Sequence, residues 1–343
     1  MKGTFTRQEI FSQPDAWADA LKVLAGERAA VGALLRNQQF ESVIFTGCGS
    51  TYYLSLAAAA LFQEQTHVYA RALPASEIWL YPRSAFRADG KTLLITVSRS
   101  GETSETLHAV EQFKSQRGGS VLTISCYPDK PLASMGDLNI VLPSGQEQSV
   151  AQTRAFSVLY IATVMLAAFW NDQQPPIDEL QKLPQAGRQL LQTYADLAAA
   201  WGQHTELDRF YFLGSGARYG LACELNLKMK EMTLTHSEPF HFMEFRHGPM
   251  SMVTPETLIV GLRSEQNRAQ ENLVLEDMRA MGAQVLSLDE ANADVNFASG
   301  LSETARNVLY LPFCQVMSFE RSLAKGLDPD RPHNLEAVVR LGT

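Results

Sequence analysis

Apolar residues along this chain gather into short runs separated by longer helical stretches, and the alternation recurs. In the first half the runs Ser42–Thr46, Thr92–Val97, Ser120–Ser125 and Leu138–Leu142 read as strands. In the second half Arg209–Leu213, Thr257–Leu262, Gln284–Leu288 and Val308–Leu311 read the same way. Strands alternating with helices predict parallel sheets covered on both faces. Leu21, Val23, Leu24, Val31, Leu34 and Leu35 recur near a 3.6 period, so the first forty residues predict a helical cover rather than a site. The apolar stretch from Ser157 to Trp170 is too short to span a bilayer and predicts a buried helix. The expected organisation is a helical segment over 1–39, an α/β subdomain over 40–170, a linker and helix over 171–203, a second subdomain over 204–313, and a helix and tail over 314–343. Pro175 and Pro176, among polar neighbours, mark the linker.

The two halves also share a turn. Val43-Ile44-Phe45-Thr46 runs into Gly47-Cys48-Gly49-Ser50-Thr51, and Phe210-Tyr211-Phe212-Leu213 runs into Gly214-Ser215-Gly216-Ala217. Each is an apolar strand, then Gly-x-Gly, then a helix start. The duplication predicts two tandem α/β units of doubly wound, flavodoxin-like type, with a site at strand ends and helix N-termini. The first Gly-x-Gly lacks the third glycine and the later acidic residue of a dinucleotide fingerprint. The second copy reads as a turn in preference to a ligand loop.

Composition narrows the function classes. A net charge of −8 leaves no basic stripe for nucleic acid. The four cysteines are dispersed without a CxxC pair, which points to reduced thiols in the cytoplasm rather than a zinc site or a disulfide framework. The N-terminus has no apolar signal core, and no membrane association is expected.

Two segments carry candidate chemistry. Ser98-Arg99-Ser100-Gly101-Glu102-Thr103 follows a strand and opens a helix. Hydroxyls and a glycine at a helix N-terminus make either a phosphate site or an ordinary helix cap. Glu224, Lys228 and Glu231 are spaced i, i+4, i+7 and share one helix face, with Leu221, Leu225 and Met232 on the neighbouring face. A solvated salt-bridge ladder has this spacing too. The loop that follows carries His236, Glu238, His241, Glu244, Arg246 and His247, which favours acid–base chemistry over a ladder. The histidine spacing fits no convergent metal set, so no metal is expected, and acid–base chemistry requires no organic cofactor.

With GCGSTYY, SRSGET, ELNLKMKE, EFRHGP and DPDRPHNL in place, the chain resembles the sugar isomerase (SIS) superfamily from about residue 40 onward. It is similar to the isomerase half of glucosamine-6-phosphate synthase and to stand-alone phosphosugar isomerases, deaminases and deglycases. The resemblance implies that Ser98, Ser100 and Thr103 hold a sugar phosphate, with Ser50 and Thr51 nearby. Arg99 stands where the synthase has glutamine. Val150 and Gln152 match a segment that touches the sugar, with serine in the synthase at the second position. Glu231 matches the base that moves a proton between C1 and C2, and Lys228 and Glu224 match residues lining that site. His247 matches a ring-opening histidine supplied by a partner subunit, which implies a homodimer with shared sites. Ala337 stands in place of a lysine that forms a Schiff base in the synthase, and Lys325 is a candidate substitute. No amidotransferase half and no N-terminal cysteine is present, so glutamine-dependent amination is not expected. The resemblance therefore implies an isomerase or deaminase acting on a hexose or amino-sugar 6-phosphate. A fructosamine-6-phosphate deglycase and a non-catalytic sugar-phosphate sensor are the alternatives.

Overall fold

The computed structural model describes residues 2–86, 90–117 and 119–341. The chain forms two compact units, each built on one five-stranded parallel sheet. The first-sheet unit comprises Asp15–Glu147, Arg154–Gln181 and Glu336–Thr343; the second-sheet unit comprises Met1–Pro14, Gln148–Thr153 and Lys182–Leu335.

In the first-sheet unit the strands are β1 (Ser42–Gly47), β2 (Tyr69–Pro74), β3 (Thr92–Ser98), β4 (Ser120–Ser125) and β5 (Leu138–Val141), in spatial order β2-β1-β3-β4-β5. Every position of β1 and β3 is buried, as in a parallel sheet covered on both faces. Helix Ser50–Thr66 packs on Arg154–Trp170, and helix Ser104–Arg117 packs on Ala75–Leu80. Residues 155–169 of Arg154–Trp170 are all buried, as its largely apolar sequence predicts. Among the described residues no helix is long and apolar enough to cross a membrane.

The second-sheet unit repeats the plan. Its strands β6 (Arg209–Gly214), β7 (His236–Phe240), β8 (Thr257–Leu262), β9 (Gln284–Asp289) and β10 (Val295–Asn296) lie in the order β10-β9-β8-β6-β7. Read from the other edge, β6 takes the place of β1 and β8 that of β3. In both sheets the order reverses between these two strands, which opens a crevice at their carboxyl ends.

Elements at the sheet edges, including the two-residue strand β10, and the segment at Val308 differ from the sequence expectation. The edge strands β2 and β7 carry no apolar run, because an edge strand is partly solvated and tolerates proline, here Pro74 and Pro239. The segment from His236, expected as a loop, is therefore strand β7 followed by the short helix Phe242–Phe245. Val308–Leu311 is not a strand: Asn307–Leu309 is a 3-10 turn that leads into helix Tyr310–Ala324. A four-residue apolar run does not distinguish a buried strand from a buried helix start.

Contacts also regroup the chain ends. Asp330 accepts from the backbone N–H and hydroxyl of Thr6, each at 2.7 Å, and from the Phe5 N–H at 3.2 Å. This caps helix Thr4–Phe11 and ties it to the second-sheet unit.

Candidate functional site

The first group of candidate residues lies at the crevice of the first-sheet unit, where β1 and β3 end. Gly47 makes the turn after β1 possible: a Cβ there would lie 2.5 Å from Thr51 Oγ1 and 2.8 Å from the Thr51 carbonyl carbon. Thr51 Oγ1 accepts from the Cys48 N–H at 3.0 Å and donates to the Cys48 carbonyl at 2.9 Å, so it braces the turn. Ser50 is buried beside it. Burial pushes the Cys48 thiol up to about 11, which leaves it protonated and weakly reactive at neutral pH.

After β3, Ser98 Oγ accepts from the Gly101 N–H at 3.1 Å and closes the loop on itself. Ser100 Oγ and Thr103 Oγ1 lie 3.3 Å apart, and the Glu102 N–H points at Ser100 Oγ from 3.3 Å. Two hydroxyls at the start of a 14-residue helix, beside a second turn of the same kind, can offer donors to an oxyanion. Lys130 Nζ sits 3.2 Å from Glu102 Oε2, a cation near the loop that the sequence reading did not single out.

Arg99 does not extend into solvent. Its guanidinium meets Glu147 Oε2 at 3.2 Å, with side-chain exposures of 6% and 0%, and donates to the Ala337 carbonyl at 3.1 Å. The tail beyond is held further: Leu341 N–H donates to Ser104 Oγ at 3.2 Å and Arg340 pairs with Glu102 at 3.0 Å. Two of the three positions at which the resemblance sets this chain apart from the synthase, Arg99 and Ala337, are thus bonded to each other.

The second group lies in the second-sheet unit. Helix Ala217–Thr233 carries Glu224, Lys228 and Glu231 on one face, as their spacing requires. Lys228 Nζ is 3.3 Å from Glu224 Oε1 and 2.6 Å from Glu231 Oε2. Lys228 and Glu224 are 1% and 0% exposed, whereas Glu231 keeps 18%. A surface ladder would leave all three wet. Here one buried ammonium joins a sealed carboxylate to one that opens outward, which is an arrangement suited to proton transfer.

The segment with Val150 and Gln152 belongs to this unit. Its shape is set by Glu9, a buried residue the sequence reading placed in a mere cover. Glu9 Oε1 accepts from the N–H groups of Gln148 at 2.6 Å and Ser149 at 3.2 Å, and Glu9 Oε2 accepts from the Ser149 hydroxyl. Val150 N–H donates to the Asp330 carbonyl at 3.1 Å. Gln152 Oε1 is buried without a hydrogen-bond partner among the described residues, so it is an acceptor in need of a donor. No periodicity marks a single buried glutamate such as Glu9; its only signal is a charged residue beside apolar Ile10.

His247 shares no hydrogen bond or ion pair with the Glu224–Lys228–Glu231 set among the described residues. It is exposed, just after helix Phe242–Phe245. His241 stacks on Tyr219 with centroids 3.9 Å apart, and burial lowers its pKa. Lys325 donates to Thr235 Oγ1 at 3.2 Å and the Leu234 carbonyl at 3.4 Å, and burial lowers its pKa.

The two five-stranded sheets fall within the two segments, residues 34–169 and 205–311, that match the sequence profile of the SIS domain. The chain belongs to the SIS domain family. Among similar proteins, the glutamine–fructose-6-phosphate aminotransferases (isomerizing) of Symbiobacterium thermophilum and of Neisseria meningitidis serogroup A are each 28% identical over 98% of this chain. This SIS chain spans 58% of the length of those relatives. The crystal structure of glucosamine-6-phosphate deaminase from Thermotoga maritima superposes with a TM-score of 0.83 at 25% identity, over 98% of this chain and 100% of that one. Tagatose-6-phosphate ketose/aldose isomerase from Escherichia coli shares the fold with a TM-score of 0.86 at 24% identity, over 96% and 95% of the two chains.

Proposed function

We propose that this SIS protein is an enzyme that moves a proton between C1 and C2 of a hexose or amino-sugar 6-phosphate, as an aldose–ketose isomerase or a deaminase. The observation that carries this reading is Lys228, buried between Glu224 and Glu231, with Glu231 as the carboxylate that keeps access. Proton transfer between adjacent carbons needs one base that reaches both, and Glu231 takes that role. Lys228 fixes its position and supplies positive charge against the negative charge that develops on the substrate oxygen. Glu224 supplies the buried counter-charge for Lys228.

In this reading Ser100 and Thr103 bind the phosphate directly, while Ser98, Thr51 and Ser50 shape the loops around it. Val150 and Gln152 meet the sugar, and the buried Gln152 Oε1 supports that role by accepting from a sugar hydroxyl. His247 opens the ring, supplied by a second copy of the chain in a cytoplasmic homodimer. Arg99, neutralised by Glu147, holds the tail at Ala337, so the reaction runs without a Schiff base at that position. The relatives support the substrate class: one is named a deaminase of glucosamine 6-phosphate and another an isomerase of tagatose 6-phosphate.

The test is incubation in D2O with hexose, hexosamine and fructosamine 6-phosphates while NMR follows the C1 and C2 protons. Deuterium uptake at these carbons is expected with one substrate, and its product separates isomerase from deaminase. Turnover of fructosamine 6-phosphate alone would make the enzyme a deglycase. Binding without exchange in any compound would overturn catalysis in favour of a sensor.

A further inference from the structure

The crevice of the second-sheet unit is built like that of the first but is filled from within. Thr46 and Leu213 each precede the first glycine of their turn and pair with Thr96 and Gly261. Four residues past those partners stand Ser100 and Glu265; four past Gly47 and Gly214 stand Thr51 and Arg218. In the second-sheet unit the Glu265 N–H donates to Glu303 Oε2 at 3.0 Å, and the Arg218 guanidinium pairs with Glu303 Oε1. One carboxylate therefore bridges the counterparts of Ser100 and Thr51. The Arg218 side chain is 8% exposed and that of Glu303 is 21% exposed, so the anion reaches inward from the rim onto a buried cation. The Glu265 side chain is drawn aside by Arg306, at 2.7 Å, which leaves its N–H to Glu303.

We propose that Glu303 is the internal ligand of a second oxyanion pocket. Its carboxylate takes up the Arg218 and Glu265 N–H donors that would otherwise hold a free oxyanion of the phosphate class. A carboxylate and a phosphate face present the same negative oxygens to a guanidinium and a backbone N–H. While Glu303 is present, the duplicated chain offers one phosphate site rather than two. The comparison with the first loop rests on the phosphate role proposed for it, but the donors of the second pocket stand on their own geometry. An ordinary salt bridge that merely pins the short helix Glu303–Arg306 would leave no pocket behind.

The experiment is calorimetry on the full chain, with inorganic phosphate titrated against chloride at equal ionic strength. It uses the wild type, Glu303→Ala, and the double variant Ser100→Ala/Glu303→Ala. Glu303→Ala should lower the Tm, and phosphate should raise the Tm of this variant by more than that of the wild type, since a ligand of the folded state stabilises by mass action. Binding stoichiometry should rise from one phosphate per chain to two. The double variant should keep the new site alone. A Glu303→Ala protein that phosphate stabilises no more than wild type, with one site or none, overturns the proposal. A wild type that ignores phosphate while the double variant binds it would sink the proposed role of Ser100 and leave this inference standing. If Glu303→Ala accumulates only unfolded, its refolding yield is the readout: a yield independent of phosphate overturns the proposal.

Discussion

At the scale of single residues, burial decides which of two similar carboxylates has chemistry open to it. Glu224 and Glu231 flank the same ammonium, yet Glu224 is sealed and Glu231 is not. Glu231→Gln keeps the shape and a hydrogen-bond acceptor for Lys228 but removes the carboxylate proposed as the base. Turnover should fall by about 10²-fold or more, while phosphosugar Kd stays within about tenfold, because a proton-transfer base contributes rate rather than affinity. An equal collapse of both in calorimetry and kinetics would make Glu231 structural. Ser100→Ala should act oppositely. Losing one hydrogen bond to a charged phosphate costs about 1.5–3 kcal/mol, so Kd should rise at least about tenfold with the fold intact. An unchanged Kd would remove Ser100 from the phosphate site. The spacing of Glu224, Lys228 and Glu231 was legible in the sequence because a helix converts i, i+4, i+7 into one face. Glu9 was not, since nothing in a sequence marks which lone glutamate will turn inward and collect backbone donors.

At the scale of elements, central strands announce themselves and edges do not. β1 and β3 are buried along their whole length and read as mostly apolar runs, whereas β2 and β7, half-solvated and ending near prolines, look like loop. Connections made by side chains far apart in sequence were hidden for the same reason. Glu9 shapes the segment carrying Val150 and Gln152 through two N–H groups and a hydroxyl. Glu9→Ala would take the acceptor from the buried Ser149 N–H, at a cost of about 1–3 kcal/mol partly recovered by relaxation, and would release the more exposed Gln148 N–H to solvent. The expected outcome is a lower Tm together with faster amide exchange at Gln148 and Ser149 and a higher KM. A lower Tm with normal exchange there would confine Glu9 to packing of helix Thr4–Phe11. Arg99 plays the matching part for the tail. Arg99→Gln, the residue that the resemblance to the synthase leads one to expect there, removes the bond to Ala337 and the charge opposite Glu147. Hydrogen exchange should quicken across 336–341 by about tenfold or more, as expected when a segment loses its main anchor. Unaltered exchange would mean that Arg340–Glu102 and Leu341–Ser104 hold the tail unaided.

At the scale of the whole molecule, the duplication was the most legible feature, because Gly-x-Gly after an apolar strand recurs at the start of each half and β6 repeats the place of β1 in its sheet. What the duplication does not reveal is whether one chain suffices for the reaction. His247 is exposed and unbonded to the Glu231 group, which fits a histidine delivered to another copy's substrate. Mixing two inactive variants decides this. In a symmetric dimer with shared sites, Glu231→Gln and His247→Ala are each dead at both sites, but a mixed dimer collects both substitutions in one site and leaves the other intact. Random reassembly of equal amounts makes about half the dimers mixed, each with one working site, so about a quarter of wild-type activity should return. Light scattering on the same sample reports whether dimers form at all. Dimers that exchange subunits and stay inactive would place His247 and Glu231 in the same chain's site, and a monomer active at all dilutions would remove the partner from the mechanism.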